Sequence, residues 1–262
     1  MRVFEYASLA TLGKRARQED SHLFWTGNTP VLPSAVERKS RELLAVLADG
    51  MGGHVGGAIA SQIGCEAFTH AFSRGEGDIP FRMNFALNSA NQKIAQTICQ
   101  NPKLLGMGST LLSVFFFNNC FHWISVGDSL LYLFRKGKIT ILNEDHSMAP
   151  LIDRRAAECI PHRRIKREEE HCNMLRSALM GGNISLVDLT YCPLQLQNAD
   201  IVVLASDGIL SLTLSEIEKI LSHTQQKGPL SVAQSIVEGV EGLDDPNQDN
   251  ITVMVVRYLF KN

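Results

Sequence analysis

Residues 108–143 constrain the fold more than any other stretch of the chain. The segment "GSTLLSVFFFNNCFHWISVGDSLLYLFRKGKITILN" reads as four apolar strands broken at Asn118-Asn119, Gly127-Asp128 and Lys136-Gly137. Turns that short join antiparallel neighbours, whereas parallel strands need a crossover of a dozen residues or more. The segment therefore predicts an antiparallel meander. Other periodic stretches predict strands at residues 3–10, 21–26, 43–48, 200–205 and 251–259, and helices near 55–73, 82–99, 213–223 and 229–240. Residues 28–41 read as a loop with two prolines, and residues 147–183 as a polar, irregular region. Two helices after the third strand and two before the last do not alternate as a βαβ chain would. They predict an antiparallel α+β layered domain, sheet in the middle and helices outside.

Composition narrows the function classes. A chain of 262 residues can form one large domain, expected here over 1–262. The formal net charge of −2 leaves no broad cationic face for nucleic acid or anionic lipid. No apolar run reaches membrane-spanning length, and "MRVFEYASLATLGKR" lacks the apolar core of a signal peptide. The six cysteines form no CxxC pair and read as reduced thiols of a cytoplasmic protein.

The chemistry is carried by aspartates at strand ends. In "LLAVLADGMGGHVGGAIAS" an apolar run ends at Asp49, and Gly50, Gly52, Gly53, Gly56 and Gly57 follow within eight positions. Such glycine clusters sit where backbone must pass close to something. Asp128 follows "WISVG", Asp207 follows "IVVLAS", Asp249 precedes "ITVMVV", and Glu19-Asp20 precede the second strand. Each alone suits a turn or a cap. Gathered at one sheet edge they would repel one another, and a hard divalent cation is the natural compensation. Oxygen-only ligation points to Mg²⁺ or Mn²⁺ rather than zinc.

In order along the chain stand "RxxxED", "ADGMGGH", "GST", "VGDS", "DHS", "SDGI" and "DNITVMVV". This ordered set resembles the successive motifs of the metal-dependent Ser/Thr protein phosphatases, the PPM or protein phosphatase 2C family, in its compact bacterial form. The resemblance implies an α-β-β-α sandwich, two antiparallel sheets flanked by helix pairs, with a two-metal site at the sandwich edge. It implies Asp49 as the ligand bridging two Mn²⁺ or Mg²⁺ ions and the Gly50 carbonyl on one of them. It implies Asp207 and Asp249 on the first ion, Glu19 on the second directly or through water, and Asp20 as a supporting carboxylate. Arg15 matches the arginine that grips the substrate phosphate, while Asn250 and Asp145-His146 match positions of structural character. The implied activity is hydrolysis of phosphoserine and phosphothreonine by a metal-activated water. Its implied partners are phosphoproteins and an opposing Ser/Thr kinase, without nucleic acid or membrane, and a monomer is expected. The alternative is a catalytically weak or inactive binding module on the same fold.

Several positions depart from the pattern. Met51 stands where animal relatives carry a histidine, and His54 follows three residues on. The family's third-metal site pairs the aspartate matching Asp128 with a second aspartate that is Ser211 here, so a third ion would bind weakly. Leu130 replaces an arginine, and "NMLRSALMGG" differs from the family's "NxLTRALG" at polar positions. The region 147–183 corresponds to the variable flap, where Arg154, Arg155, Arg163 and Arg164 could meet an acidic phosphopeptide or form a solvated surface. There Cys159, His162, His171 and Cys172 offer a zinc alternative whose order lacks paired spacing.

Overall fold

The computed structural model describes residues 2–27, 30–31, 36–52, 56–152 and 174–260. Two antiparallel sheets lie face to face. The first contains, in spatial order, β10 (Lys138–Ile141), β9 (Leu130–Arg135), β13 (Ile201–Ala205), β14 (Ile251–Phe260), β1 (Arg2–Thr11) and β4 (Arg38–Ser40). The second contains β11 (Asp188–Leu189), β8 (Cys120–Val126), β7 (Leu111–Phe117), β5 (Glu42–Met51), β2 (Asp20–Trp25) and β3 (Pro30–Val31). Two short strands pair outside this order: β12 (Leu194–Gln195) with β8, and β6 (Gly108–Ser109) with β5.

Helices α1 (Gly56–Arg74) and α2 (Ile79–Gln100) cover the second sheet, and α3 (Leu214–Thr224) and α4 (Pro229–Glu241) cover the first. Local sequence explains their starts. Asp78 caps α2 by accepting the Phe81 N–H, Thr213 and Glu216 form a reciprocal capping box on α3, and Pro229 opens α4.

The alternation of side chains builds three apolar layers. On β5, Leu44, Val46 and Ala48 face the α1/α2 layer, while Leu43, Ala45 and Leu47 face the opposite sheet. On β13, Val202 and Leu204 enter the inter-sheet layer, and Ile201, Val203 and Ala205 face α3 and α4. Strands buried on both faces read as continuous apolar runs even though their neighbours are antiparallel. Each fully buried Leu, Ile or Phe contributes about 1.5–3 kcal/mol relative to exposure. The layers thus hold the frame on which the polar edge is mounted.

Three sequence expectations need correction. The stretch 108–143 is not one meander. The turns at Asn118-Asn119 and Lys136-Gly137 do join paired neighbours, β7 with β8 and β9 with β10. At Gly127-Asp128, however, the chain leaves the second sheet and enters the first, and β8 and β9 are not partners. Gly127 makes that step with φ +106°. Its N–H donates to His146 Nδ1, and its carbonyl accepts the His146 N–H. The third strand does not end at Ala48: β5 runs through Asp49 and Gly50 to Met51, because β2 and β6 pair with that end. The expected loop 28–41 carries the short strands β3 and β4.

Candidate active site

Pairing between β2 and β5 sets Asp20 directly opposite Asp49. Two like charges so placed oppose the pairing, so other groups must hold them there. The Asp49 N–H donates to Thr110 Oγ1 at 2.9 Å, and the Asp49 carbonyl accepts from the Thr110 N–H and from Ser109 Oγ. Thr110 Oγ1 also meets Ser129 Oγ, which ties the Asp49 backbone to the turn bearing Asp128. Ser206 Oγ donates to Asp20 Oδ2 at 2.8 Å and accepts the Thr252 N–H. Thr252 Oγ1 stands beside Asp20, yet neither it nor Asp20 Oδ1 finds a hydrogen-bond partner of proper geometry among the described residues.

Gly50 is required by a close approach. A Cβ there would lie 2.1 Å from the Gly57 carbonyl oxygen and 2.6 Å from that of Glu19. The start of α1 thus rests on the backbone of β5. The Gly50 N–H donates to the Glu19 carbonyl, and Ser61 Oγ on α1 donates to the same oxygen. Asn250 closes the other side. Its Oδ1 accepts the Glu19 N–H, while its Nδ2 donates to the Leu12 and Arg17 carbonyls. Asn250 therefore fixes the segment carrying Arg15 and Glu19 against the start of β14.

These elements open on one pocket of about 810 Å³. Its lining includes Arg15, Arg17, Glu19, Asp49, Gly50, Asp128, Asp207 and Asp249, together with Met51, Met174 and Leu175. The carboxyl groups act on one another. Burial, then the Asp20 and Asp207 charges, push Asp49 well above the usual carboxylate range. Burial likewise raises Asp20 to about 6 and Asp128 to about 7. Asp207 is raised by burial and by Asp249, while a side-chain hydrogen bond with Asp49 opposes the shift. Within this group Arg15 Nη2 lies 2.5 Å from Asp249 Oδ2.

The pocket thus brings together Arg15, Glu19, Asp49, Gly50, Asp128, Asp207 and Asp249, and Asp20 stands buried beside Asp49. Among the described residues, no group of three or more His, Cys, Asp or Glu side chains is placed to hold a metal ion as it stands. Asp249 is engaged by Arg15, and Asp49 by Asp207. Ser211 is not in the pocket lining, and its Oγ donates to Gln248 Oε1 at 2.6 Å. Leu130 is buried in the layer beneath α3 and α4. His146 is buried against Gly127 rather than in the pocket, and Asp145 accepts the Ser147 N–H. His54, the four flap arginines, and Cys159, His162, His171 and Cys172 lie outside the described residues.

Reading the aspartates alone does not reveal Thr110 and Ser206 as the hydroxyls that hold two of them. The signal was the "GST" and "SDGI" motifs, in which each hydroxyl directly flanks a strand end. Nothing in the local sequence marked Met174 or Leu175 as pocket residues.

Known proteins of this shape carry the comparison further. The mycobacterial "Serine/threonine protein phosphatase PstP" of Mycobacterium tuberculosis is 32% identical over 214 residues, covering 81% of this chain and 40% of that protein. The chain thus spans well under half the length of that relative. The "Serine/threonine phosphatase stp" of Listeria monocytogenes is 26% identical over 229 residues, covering 84% of this chain and 86% of its own length. The crystal structure of the Mycobacterium tuberculosis phosphatase PstP/Ppp superposes with a TM-score of 0.78 at 29% identity, over 98% of this chain and all of that one. The PstP catalytic domain in complex with two manganese ions superposes with a TM-score of 0.76 at 30% identity, over 99% and 100% of the two chains. The family profile described as "Protein phosphatase 2C" matches residues 32–236, which include Asp49, Asp128 and Asp207, and on that match the chain belongs to the protein phosphatase 2C family.

Proposed function

We propose that this chain is a metal-dependent protein serine/threonine phosphatase, hydrolysing a phosphomonoester to free hydroxyl and inorganic phosphate. The carrying observation is the pocket where five acidic side chains, Glu19, Asp49, Asp128, Asp207 and Asp249, converge with Arg15 beside them. The residues fit divalent cations. Every side-chain donor is an oxygen, burial and the neighbouring carboxylates push Asp49 well above the usual carboxylate range, and Asp20 Oδ1 is buried without a hydrogen-bond partner among the described residues. Hard ions such as Mn²⁺ or Mg²⁺ suit that donor set. Asp49, Asp207, Asp249 and Glu19, supported by Asp20 and the Gly50 carbonyl, would hold two of them. When bound, such ions supply charge compensation and Lewis-acid activation of water. The manganese-bound PstP catalytic domain supports this reading.

The remaining roles belong to the chain itself. Arg15 is more than half exposed at the pocket mouth, so its guanidinium can turn from Asp249 to a phosphate without leaving a buried cavity. A guanidinium binds phosphate oxygens through parallel hydrogen bonds, which orients the ester and stabilises charge on the equatorial oxygens. Thr110 and Asn250 fix the backbone that carries Asp49 and Glu19, and Ser206 holds the Asp20 carboxyl, so adjustment on binding falls on side chains such as Asp249 rather than on the strands. Asp128 would take a third ion only weakly, since Ser211 is a hydroxyl already committed to Gln248.

Residues 1–262 act as one catalytic domain in this reading, working as a monomer on phosphoproteins modified by a Ser/Thr kinase. A cytoplasmic location is supported by the four described cysteines, which are all unpaired. No described helix is long and apolar enough to cross a membrane. The test is hydrolysis of a phosphothreonine peptide against Mn²⁺ concentration. Wild type should be cation-dependent, and Asp207→Asn should lose at least about a hundredfold in rate at limiting Mn²⁺, as expected when a metal ligand is removed. Wild-type rates in Asp207→Asn would refute the assignment. Phosphopeptide binding without turnover in the wild type would instead favour the inactive module.

A further inference from the structure

The charged pocket also carries apolar side chains. Beside the acidic groups, Arg15 and Arg17, the same cavity is lined by Met51, Met174 and Leu175. Met180 adjoins Met51. A Cβ placed on Gly108 would lie 2.8 Å from Met180 Cγ and 3.0 Å from Met51 Cε, so the two thioether side chains meet across that glycine. Met174 is 57% exposed and Met180 48% exposed.

The backbone beneath them is fixed. Met51 pairs with Gly108 where β5 meets β6. Leu179, buried, exchanges both backbone hydrogen bonds with Ser109. The Met174 carbonyl accepts the Met148 N–H, and Leu175 bridges to Ser147. Arg176 Nε donates to the Ser147 carbonyl and its Nη2 to the Asp145 carbonyl. Three methionines and a leucine are therefore held on ordered backbone at the lip of the charged pocket. The cavity, at about 810 Å³, is of a size that encloses a drug-sized ligand, well beyond a single phosphate group.

Resting on the phosphatase reading above, we propose that Met51, Met174, Leu175 and Met180 form a specificity subsite for an apolar side chain flanking the phosphorylated residue of the substrate. Continuity with the charged pocket identifies the occupant. A chain that places its phosphate against Arg15 and the carboxylate group must lay its neighbouring residues across the pocket lip. Apolar surface there gains from burying an aliphatic side chain and gains nothing from a polar one of equal size. Methionine, unbranched and polarisable, adapts to aliphatic groups of differing shape. The subsite would thus prefer apolar neighbours without demanding one residue.

The test uses two phosphothreonine peptides identical except for Leu or Asn on both sides of the phosphothreonine. Leu and Asn are close in size and both uncharged, so repulsion from the carboxylates does not enter. The wild-type protein with Mn²⁺ should show kcat/KM for the Leu peptide higher by roughly tenfold, the scale of discrimination in an apolar pocket. In the double variant Met174→Gln, Met180→Gln the ratio should fall to about one. Both side chains are half-exposed, so the fold should persist, checked by thermal melting, and each single variant provides the same measurement. A wild-type ratio near one, with p-nitrophenyl phosphate still hydrolysed, overturns the subsite and leaves the phosphatase reading standing. A tenfold ratio that survives in the double variant also overturns it. Failure to hydrolyse p-nitrophenyl phosphate and both peptides removes the phosphatase reading and the subsite with it.

Discussion

Gly50, Gly57 and Gly64 are spaced seven residues apart and make a graded test of how the site is held. At Gly50 an added Cβ would meet the Gly57 carbonyl oxygen at 2.1 Å and its carbon at 2.4 Å, both backbone atoms. Opening the first contact even to 3.0 Å requires strand β5 and helix α1 to separate by about 0.9 Å, the difference between 3.0 and 2.1 Å. Overpacking of this kind costs typically 1–3 kcal/mol and more when backbone must move, so Gly50→Ala should destabilise by about 3–5 kcal/mol. At Gly57 the Cβ would lie 2.7 Å from Glu19 Oε2 and 2.9 Å from Gly50 backbone. The carboxylate can swing away, and alanine favours the helix, so about 1–3 kcal/mol is expected. At Gly64 the nearest atoms, Ala48 Cβ and Leu111 Cδ1, stand at 3.8 and 4.0 Å, ordinary contact. Gly64→Ala should therefore stabilise by about 0.5–1 kcal/mol through helix propensity and reduced unfolded-state entropy. Urea unfolding gives the order directly. In melting temperature it corresponds to a fall of roughly 6–20 °C for Gly50→Ala and a rise of a few degrees for Gly64→Ala, at 2–4 °C per kcal/mol. Phosphopeptide hydrolysis should fall with the first variant and stay at wild-type level with the third. Wild-type stability and turnover in Gly50→Ala would refute the close-packing argument.

Two further outcomes are expected. Arg15→Ala should lower kcat/KM by roughly 10- to 100-fold by removing a bidentate phosphate contact. Calorimetry should show Mn²⁺ binding no weaker, because Asp249 is freed from its ion pair; weakened metal binding with normal turnover would reverse the role. Glu5→Gln should cost about 2–4 kcal/mol at pH 7, since Glu5 is buried between Arg257 and Lys39 and its loss leaves the largely buried Arg257 with backbone carbonyls but without its carboxylate. Burial raises the Glu5 carboxyl, but hydrogen bonds from Lys39 and Arg257 outweigh it and hold the carboxyl below its usual range. The wild-type advantage over Glu5→Gln is therefore present above the unfolded carboxylate pKa and is lost as pH falls through the lower folded value. Unfolding curves at pH 7 and pH 3 with equal gaps between the two proteins would contradict this.

The layered architecture was legible because burial on both faces leaves a plain mark. β5 and β13 read as unbroken apolar runs, and each residue of those runs has its own core layer to enter. What the turn at Gly127-Asp128 conceals is partner choice. A short turn fixes where a strand ends, but the identity of the next neighbour depends on distant strands, here β13 pairing with β9. The strand-end carboxylates were legible as a set because so many charges on one edge need a common explanation. Their internal pairing was not, since contacts such as Arg15 with Asp249 join positions far apart in the chain. Met174 and Leu175 were illegible for a simpler reason: two apolar residues in an irregular stretch have no periodicity to betray which wall they line.

The passage of the chain between sheets at Gly127 has a kinetic consequence. Asp20 and Asp49 belong to one sheet, Asp207 and Asp249 flank strands of the other, and Asp128 sits on the connection between them. The polar edge is therefore a seam that neither half of the chain can complete. The bond from the Glu19 N–H to Asn250 closes a loop of 231 residues, which costs about 5 kcal/mol in chain entropy by logarithmic scaling. Contacts of such long range form late in folding. During synthesis the carboxylates of the first half remain apart from Asp249 until the segment leading into β14 has been made, so a partly folded chain cannot assemble the pocket, and competence arrives only once β14 has docked.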